Sequence, residues 1–348
     1  MHSPPPLEAP MSPVEALRRI SYLLERTRQS TYKVEAFRRA AEAIQLASDE
    51  ELRERVQAGT LKQIKGIGDA SAGVIAEAVR GRVPAYLASA EEQFGAQLAA
   101  SGDDLYAALR GDLHVHSSWS DGGSPIEEMV LTAVELGHEW MALTDHSPRL
   151  KVANGLSRER LQKQLVRVDA VNRSLGGSFT LLKGIEIDIN LDGSLDQDDD
   201  MLEQLDVVTA SMHSKLRQPA HEMTPRMLAA VRNPHTNVLG HATGRLVTGG
   251  RGTRPPSEFD AEQVFRACAE RDVAVEINGR PEREDPPDDL IELARDLGCL
   301  FAIDSDAHAP GQLEMKAYAC ERAERLAIPA ERIVTTWPVD DVRAWAKG

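Results

Sequence analysis

From Gly111 onward the chain repeats one pattern: a short apolar stretch of strand length, then a longer stretch with apolar residues at helical spacing. Strands are expected at 112–116, 140–145, 181–189, 206–212, 237–241, 273–277 and 300–304, with helices near 124–137, 157–174, 222–231, 258–270 and 287–297. Strands joined through helices pair in parallel, because the crossover returns the chain to the same end of the sheet. Seven of them in one unit predict an α/β fold, a closed or nearly closed barrel. A doubly wound open sheet is the competing arrangement, but no phosphate loop or dinucleotide fingerprint follows any of these strands.

The ionisable residues fall where such a barrel gathers them. The first strand ends in Asp112-Leu113-His114-Val115-His116, and alternation puts His114 and His116 on one face. Asp121 follows in the loop WSDGG, and the second strand ends in Thr144-Asp145-His146. Glu186 lies within GIEIDI, His213 ends TASMHS, His241 stands in LGHATGR, and Asp306 and His308 close DSDAH. A histidine standing alone is ordinarily a surface or satisfied core residue, and His2, His138, His221 and His235 are read that way. Nine carboxylates and imidazoles on one rim are different, because burying them without partners is unfavourable and metal coordination satisfies them together. The nitrogen and oxygen donors suit two or three divalent transition ions (Zn, Mn or Fe), since nine ligands exceed the needs of one.

The motifs GDLHVHSSWSDG, LTDHS, GIEIDI, ASMHS, GHATGR, EINGRPER and IDSDAH, in that order over about 111–335, resemble the PHP (polymerase and histidinol phosphatase) family. The resemblance is strongest to the version fused to bacterial family X DNA polymerases. It implies a distorted seven-stranded (β/α)7 TIM-like barrel with a trinuclear metal centre that hydrolyses phosphomonoesters or phosphodiesters. On the matching positions, His114, His116, Glu186 and Asp306 would hold one metal. Glu186 would bridge to a second, also held by His213 and His241, and Asp121, His146 and His308 would hold the third. Metal binding lowers the pKa of water from 15.7 to about 7 for zinc, so hydroxide attack on phosphorus in line with the leaving oxygen is the expected chemistry. Asp145 or Asp304 is expected to hydrogen-bond a ligating imidazole, Glu276 to orient a histidine, and Asn278 to hold a nearby loop. Arg245 is the expected phosphate anchor, with Lys215, Arg217, Arg280 and Arg283 as further cations near the ligand strands. Ala242 stands where the polymerase-linked relatives usually carry proline, a change in loop rigidity that leaves His241 in place.

Ahead of the barrel, residues 1–13 are Pro-rich and read as a disordered leader, and 14–87 as an all-α domain. Ser12-Pro13-Val14-Glu15 reads as a capping box opening a helix, 31–46 as a second, and Ser48 with Glu51 as the cap of a third. LKQIKGIGDASAGVIAEAVRG follows as a helix-hairpin-helix, with Gly66 and Gly68 permitting the turn. This part is similar to the N-terminal domain of the same polymerases, which implies DNA contact through the N–H groups of Ile67 and Gly68, with Lys62, Lys65, Arg80 and Arg82 reinforcing it. Relatives with deoxyribose-phosphate lyase activity carry a Schiff-base lysine in the helix after the hairpin. Here the matching positions read Ala70 and Val74, so the amine nucleophile is missing. Residues 88–110 read as a linker, which leaves no room for a polymerase palm.

Charge is divided unevenly. Residues 1–100 carry 13 Lys/Arg against 13 Asp/Glu, so the net charge of -15 belongs to the remainder. An acidic barrel argues against strong nonspecific nucleic-acid binding, while bound cations would let it take a phosphorylated substrate. No apolar run reaches the roughly 20 residues of a membrane span. Cys268, Cys299 and Cys320 lie far apart and read as reduced packing thiols of a cytoplasmic protein. The reading is a metal-dependent phosphoesterase, DNA-directed as a 3′–5′ exonuclease or 3′-end processing enzyme. A histidinol-phosphatase or nucleotide-phosphatase type of monoesterase is the alternative, and a noncatalytic DNA-binding protein is the third possibility.

Overall fold

The computed structural model describes residues 6–249 and 252–348, which form two compact units: 6–98 with 310–312, and 99–249 with 252–309 and 313–348. His2 and residues 1–5 of the expected leader lie outside the described residues.

The first unit is helical. Helix α1 (Pro13–Arg26) starts as the sequence predicts: Glu15 N donates to Ser12 Oγ at 3.1 Å and Ser12 N to Glu15 Oε2 at 2.8 Å. Two N–H groups that the helix cannot satisfy are thereby paired. Helix α2 (Thr31–Ile44) buries Phe37, Ala40, Ala41 and Ile44, and α3 (Asp49–Ala58) is capped by Ser48. Gly66, at φ 99°, turns the chain into α4 (Asp69–Val79), and α5 (Ala85–Phe94) follows. Leu17, Ile20, Leu23, Val74, Ile75 and Leu87 meet in one apolar core. Most of α5 and all of α6 (Asp103–Ala108) occupy the stretch read as a linker.

In the second unit six parallel strands form one sheet in chain order, β1 (Trp140–Leu143), β2 (Thr180–Asp188), β3 (Val207–Ser211), β4 (Val238–Leu239), β5 (Ala274–Asn278) and β6 (Phe301–Asp304). Helices α7 (Ile126–Glu135), α8 (Arg158–Leu175), α10 (Ala220–Val231), α11 (Ala261–Glu270) and α12 (Asp288–Asp296) are those expected, with a short α9 (Asp199–Leu202) between β2 and β3. Two C-terminal helices, α13 (Lys316–Arg325) and α14 (Val339–Ala346), were not expected from the sequence.

Among the described residues the strand count is six, not the expected seven. Residues 112–116 are no strand, because side chains take the N–H groups that a ladder would use. Leu113 N donates to Asp304 Oδ1 (2.7 Å), His114 N to Asp112 Oδ1 (3.2 Å) and Val115 N to Thr144 Oγ1 (2.8 Å). Val115 still bridges in parallel to Leu143 at the end of β1 and to Ala307 beyond β6, so both edges of the curled sheet meet this segment. Its apolar side chains, Leu113 and Val115, are fully buried. No helix among the described residues is long and apolar enough to cross a membrane. All three cysteines are buried free thiols, and burial pushes those of Cys299 and Cys320 up to about 12.

Candidate metal centre

Strand ends deliver the ligands, and Glu186 is their hub. Glu186 is buried on β2, paired in register with Thr209 of β3. Five imidazoles surround its carboxylate: His114 Nε2 at 3.3 Å, His116 Nε2 at 3.6 Å, His146 Nδ1 at 2.7 Å, His213 Nε2 at 3.2 Å and His241 Nε2 at 2.8 Å. His116 Nε2 also lies 3.6 Å from Asp306 Oδ1, and Asp121 Oδ1 lies 3.3 Å from both His146 Nε2 and His308 Nε2. All nine residues singled out in the sequence thus come together.

Three sets bring one ligand atom from each member within 4.8 Å of the rest: His116, Asp121, His146 and His308; His114, His116 and Glu186; His146, Glu186 and His213. They overlap the expected ligand sharing without reproducing it, since His116 joins the third set and His146 also reaches Glu186.

The donor atoms suit cations. His114 Nε2, both ring nitrogens of His116, His146 Nδ1, Glu186 Oε2, His213 Nε2 and His241 Nδ1 are buried without a hydrogen-bond partner among the described residues. His146 Nδ1 and Glu186 Oε2 are close but poorly aligned for a hydrogen bond. So many orphaned polar atoms in one place are unfavourable unless an ion satisfies them. Burial and the neighbouring His308 and His146 push His116 well below the usual imidazole range, leaving the neutral ring that ligates. Burial raises Glu186 and Asp121, but the surrounding histidines more than offset it and hold both ionised. His241 and Asp306 sit at φ 21° and 51°, backbone that non-glycine residues rarely adopt and that costs about 1–3 kcal/mol where function holds it.

Around the ligands several expectations are corrected. Asp145 touches no imidazole: it accepts from Ser117 N (2.9 Å), Ser117 Oγ (2.6 Å), Ser120 N (3.2 Å), Ser120 Oγ and Gln164 Nε2 (2.6 Å). Asp304 accepts from Leu113 N, so it too serves the backbone. Glu276 does hold a histidine, with Oε1 2.5 Å from His114 Nδ1, and Asn278 donates to Glu276 and Asp306. Asp188 was missed: its Oδ1 lies 3.3 Å from His213 Nδ1. The signal was present, because Asp188 follows Glu186 by two and shares its face.

The Arg245 guanidinium, expected on substrate phosphate, instead donates to the carbonyls of Glu284 (2.8 Å) and Arg283 (3.1 Å). Its loop is drawn that way by Asp285, which accepts from Thr243 N, Thr243 Oγ1 and Arg245 N. Arg283 Nε lies 3.1 Å from Asp306 Oδ2 and Arg280 Nη1 2.9 Å from Asp306 O, so these two are the arginines beside the cluster. Lys215 and Arg217 are exposed.

In the helical unit, the two N–H groups expected to face DNA are already engaged, Ile67 N with Ile64 O (3.1 Å) and Gly68 N with Ser71 Oγ (3.0 Å). Lys62 pairs with Asp69 at 2.6 Å. Lys65, Arg80 and Arg82 are exposed, with no ion pair among the described residues.

Comparison with known proteins fits this geometry. Residues 112–280 match the PHP domain and residues 11–83 a helix-hairpin-helix domain. The DNA polymerase/3'-5' exonuclease PolX of Bacillus subtilis is 38% identical over 239 residues, 69% of this chain and 41% of that protein. This chain therefore spans well under half of that relative's length. A "Probable phosphatase" of Vibrio parahaemolyticus is 28% identical over 238 residues, 65% of this chain and 88% of its own. A histidinol phosphate phosphatase of Lactococcus lactis, solved with zinc, L-histidinol and phosphate, superposes with TM-score 0.46 at 19% identity, covering 64% of this chain and 94% of that one. The chain therefore carries a PHP domain with a helix-hairpin-helix domain ahead of it, the pairing that the PolX relative shares over the matched residues.

Proposed function

We propose that the chain hydrolyses phosphoric esters at DNA 3′ ends, as a 3′–5′ exonuclease or an end-processing enzyme. The observation that carries this is one chain holding both a His/Asp/Glu cluster, seven residues in metal-sized groups with His241 and Asp306 against them, and a hairpin domain with exposed cations that make no ion pair among the described residues. His114, His116, Glu186 and Asp306 would hold one ion, Glu186, His213 and His241 a second, and Asp121, His146 and His308 a third. Divalent Zn, Mn or Fe bound there supplies Lewis acidity, lowering the pKa of water and balancing charge on phosphoryl oxygens. The chain's own residues set the geometry: Glu186 ties the sets together, and the cationic Arg280 and Arg283 beside Asp306 attract the phosphate. Lys65, Arg80 and Arg82 would contact phosphates of the DNA, fixing its position without reading its sequence.

A small-molecule phosphomonoesterase is the second reading, favoured by the two arginines converging beside Asp306, a pairing suited to one phosphate group. The two readings separate in the full-length chain carrying Lys65→Glu, Arg80→Glu and Arg82→Glu. With Mn or Zn supplied, hydrolysis of a duplex 3′ end should fall at least tenfold at low salt. Losing three phosphate contacts should also flatten the log–log salt slope by about 2.7, from roughly 0.9 per contact. Turnover of a small phosphomonoester should stay within twofold. Unchanged DNA kinetics would remove the hairpin from substrate delivery. Monoester turnover without any DNA hydrolysis by the parent chain would make the second reading the correct one.

A further inference from the structure

Glu276, in the middle of β5, is fully buried, and three donors converge on its carboxylate. Oε1 accepts from His114 Nδ1 at 2.5 Å; Oε2 accepts from the backbone N–H of His241 and from Asn278 Nδ2 at 3.1 Å. We propose that Glu276 is a positioning residue that fixes the ring tautomer of His114 and the backbone of His241, so that both present a lone pair to metal beside Glu186. The inference rests on the metal-centre reading above.

The chemistry of the acceptors argues for it. A carboxylate only accepts, so the bond to Glu276 keeps a ring proton of His114 on Nδ1 and leaves Nε2 as the nitrogen that gives up its proton for a bound cation. That Nε2 is buried without a hydrogen-bond partner and lies 3.3 Å from Glu186 Oε1. His241 holds φ at 21°, and its N–H is the group that Glu276 receives. The same backbone turn brings His241 Nε2 to 2.8 Å from Glu186 Oε1. One side chain therefore governs histidines delivered by two separate segments of the chain.

Three donors also explain why the residue is a carboxylate. Glutamine has the same shape but offers one acceptor oxygen and an NH2 group that donates. Whichever way the amide turns, at least one of His114 Nδ1–H, His241 N–H and Asn278 Nδ2–H meets a donor. The ring of His114 can escape only by moving its proton to Nε2, which blocks the ligating position. Aspartate keeps the charge but is one methylene too short to reach both sides.

The test compares the full-length chain with Glu276→Gln, each stripped of metal, reloaded with Mn or Zn, and analysed for ion content and affinity. Wild type should hold two or three ions. Glu276→Gln should lose at least one, or bind it 10–100-fold more weakly, the effect of outer-shell partners elsewhere. The ion between Asp121, His146 and His308 should remain. Histidine 15N resonances of the zinc-loaded wild type should show His114 protonated at Nδ1 with Nε2 unprotonated, and those of the variant a shift of the proton towards Nε2. Full ion content at unchanged affinity in Glu276→Gln overturns the inference. Should that variant fail to fold, the tautomer of the zinc-loaded wild type decides, and a His114 protonated at Nε2 there overturns it. A wild type that takes up no ion sinks the metal-centre reading, and this inference with it.

Discussion

Replacing Asp145 with alanine should destabilise the barrel and do so through hydrogen bonds alone. Five donors reach this carboxylate, but they are not equally stranded when it goes. The hydroxyls of Ser117 and Ser120 can rotate, and Ser120 N also reaches Ser117 O at 3.1 Å. Ser117 N (2.9 Å) and Gln164 Nε2 (2.6 Å) are left buried with nothing to donate to. At about 1–3 kcal/mol for each unsatisfied buried donor, the loss is about 2–6 kcal/mol, and water entering the space should hold it near 3. For a unit of this size about 3 kcal/mol is roughly 6–12 °C in Tm. Asp145→Asn keeps one acceptor and should lose about 1 kcal/mol. Thermal and urea unfolding of the metal-free chain measure both, which separates the effect from coordination. The segment these bonds hold carries Asp121, so the metal-loaded variant should weaken the ion near His146 and His308 first. A Tm drop under 2 °C for Asp145→Ala would refute the hub role. Unchanged stability with loss of metal at His146 would show that the carboxylate acts on the imidazole after all.

Two further outcomes follow from the same geometry. Glu186 lies within 3.6 Å of five imidazoles, so Glu186→Ala should release two ions together and abolish turnover, whereas Asp121→Ala should release one; equal losses by elemental analysis would contradict the proposed sharing. In the metal-free chain, burial lowers the His146 pKa while Glu186 and Asp121 push it up to about 10. A folded value above the unfolded value of about 6.5 means that this contribution to stability is complete below about pH 6.5 and is lost as pH rises towards 10. The Tm of the chelated chain should therefore fall across that window, and metal uptake at about pH 8 should release the His146 proton to a weakly buffered indicator dye. A flat Tm profile shared with His146→Asn, without proton release, would refute the assignment.

Much of the centre was legible because its rule is local. Alternation along a strand decides which side chains share a face, and it put His114 and His116 on one side without any knowledge of their neighbours. The same rule applied one step further would have found Asp188. The misses have another origin: they depend on which acceptor a folded chain brings to a given donor. Arg245 follows a ligand strand, as the sequence says, yet Asp285, 40 residues later, turns its loop towards Glu284. The hairpin N–H groups stand at a helix start, the place for phosphate, yet Ile64 and Ser71 already receive them. No spacing in the sequence encodes those competitions.

The missing first strand shows the same competition serving the site. A parallel strand at 112–116 would give its N–H groups to a neighbouring ladder. Here Asp304, Asp112 and Asp145 accept from Leu113, His114 and Ser117, and only His116 N reaches a carbonyl, that of Ala307 at 2.8 Å. The segment nevertheless keeps a strand's alternation, since Leu113 and Val115 are buried in apolar clusters while His114 and His116 meet at Glu186. Carboxylates in place of carbonyls have a physical consequence: Asp304 closes β6 and Asp145 follows β1, so the His114–His116 segment is tied to both by side chains, while Asp112 braces it from within. Aspartates beside metal ligands in a sequence invite a reading as ligands or as partners of imidazoles. In this barrel Asp112, Asp145 and Asp304 do neither, and part of its acidity holds backbone in place so that neighbouring histidines can face the ions.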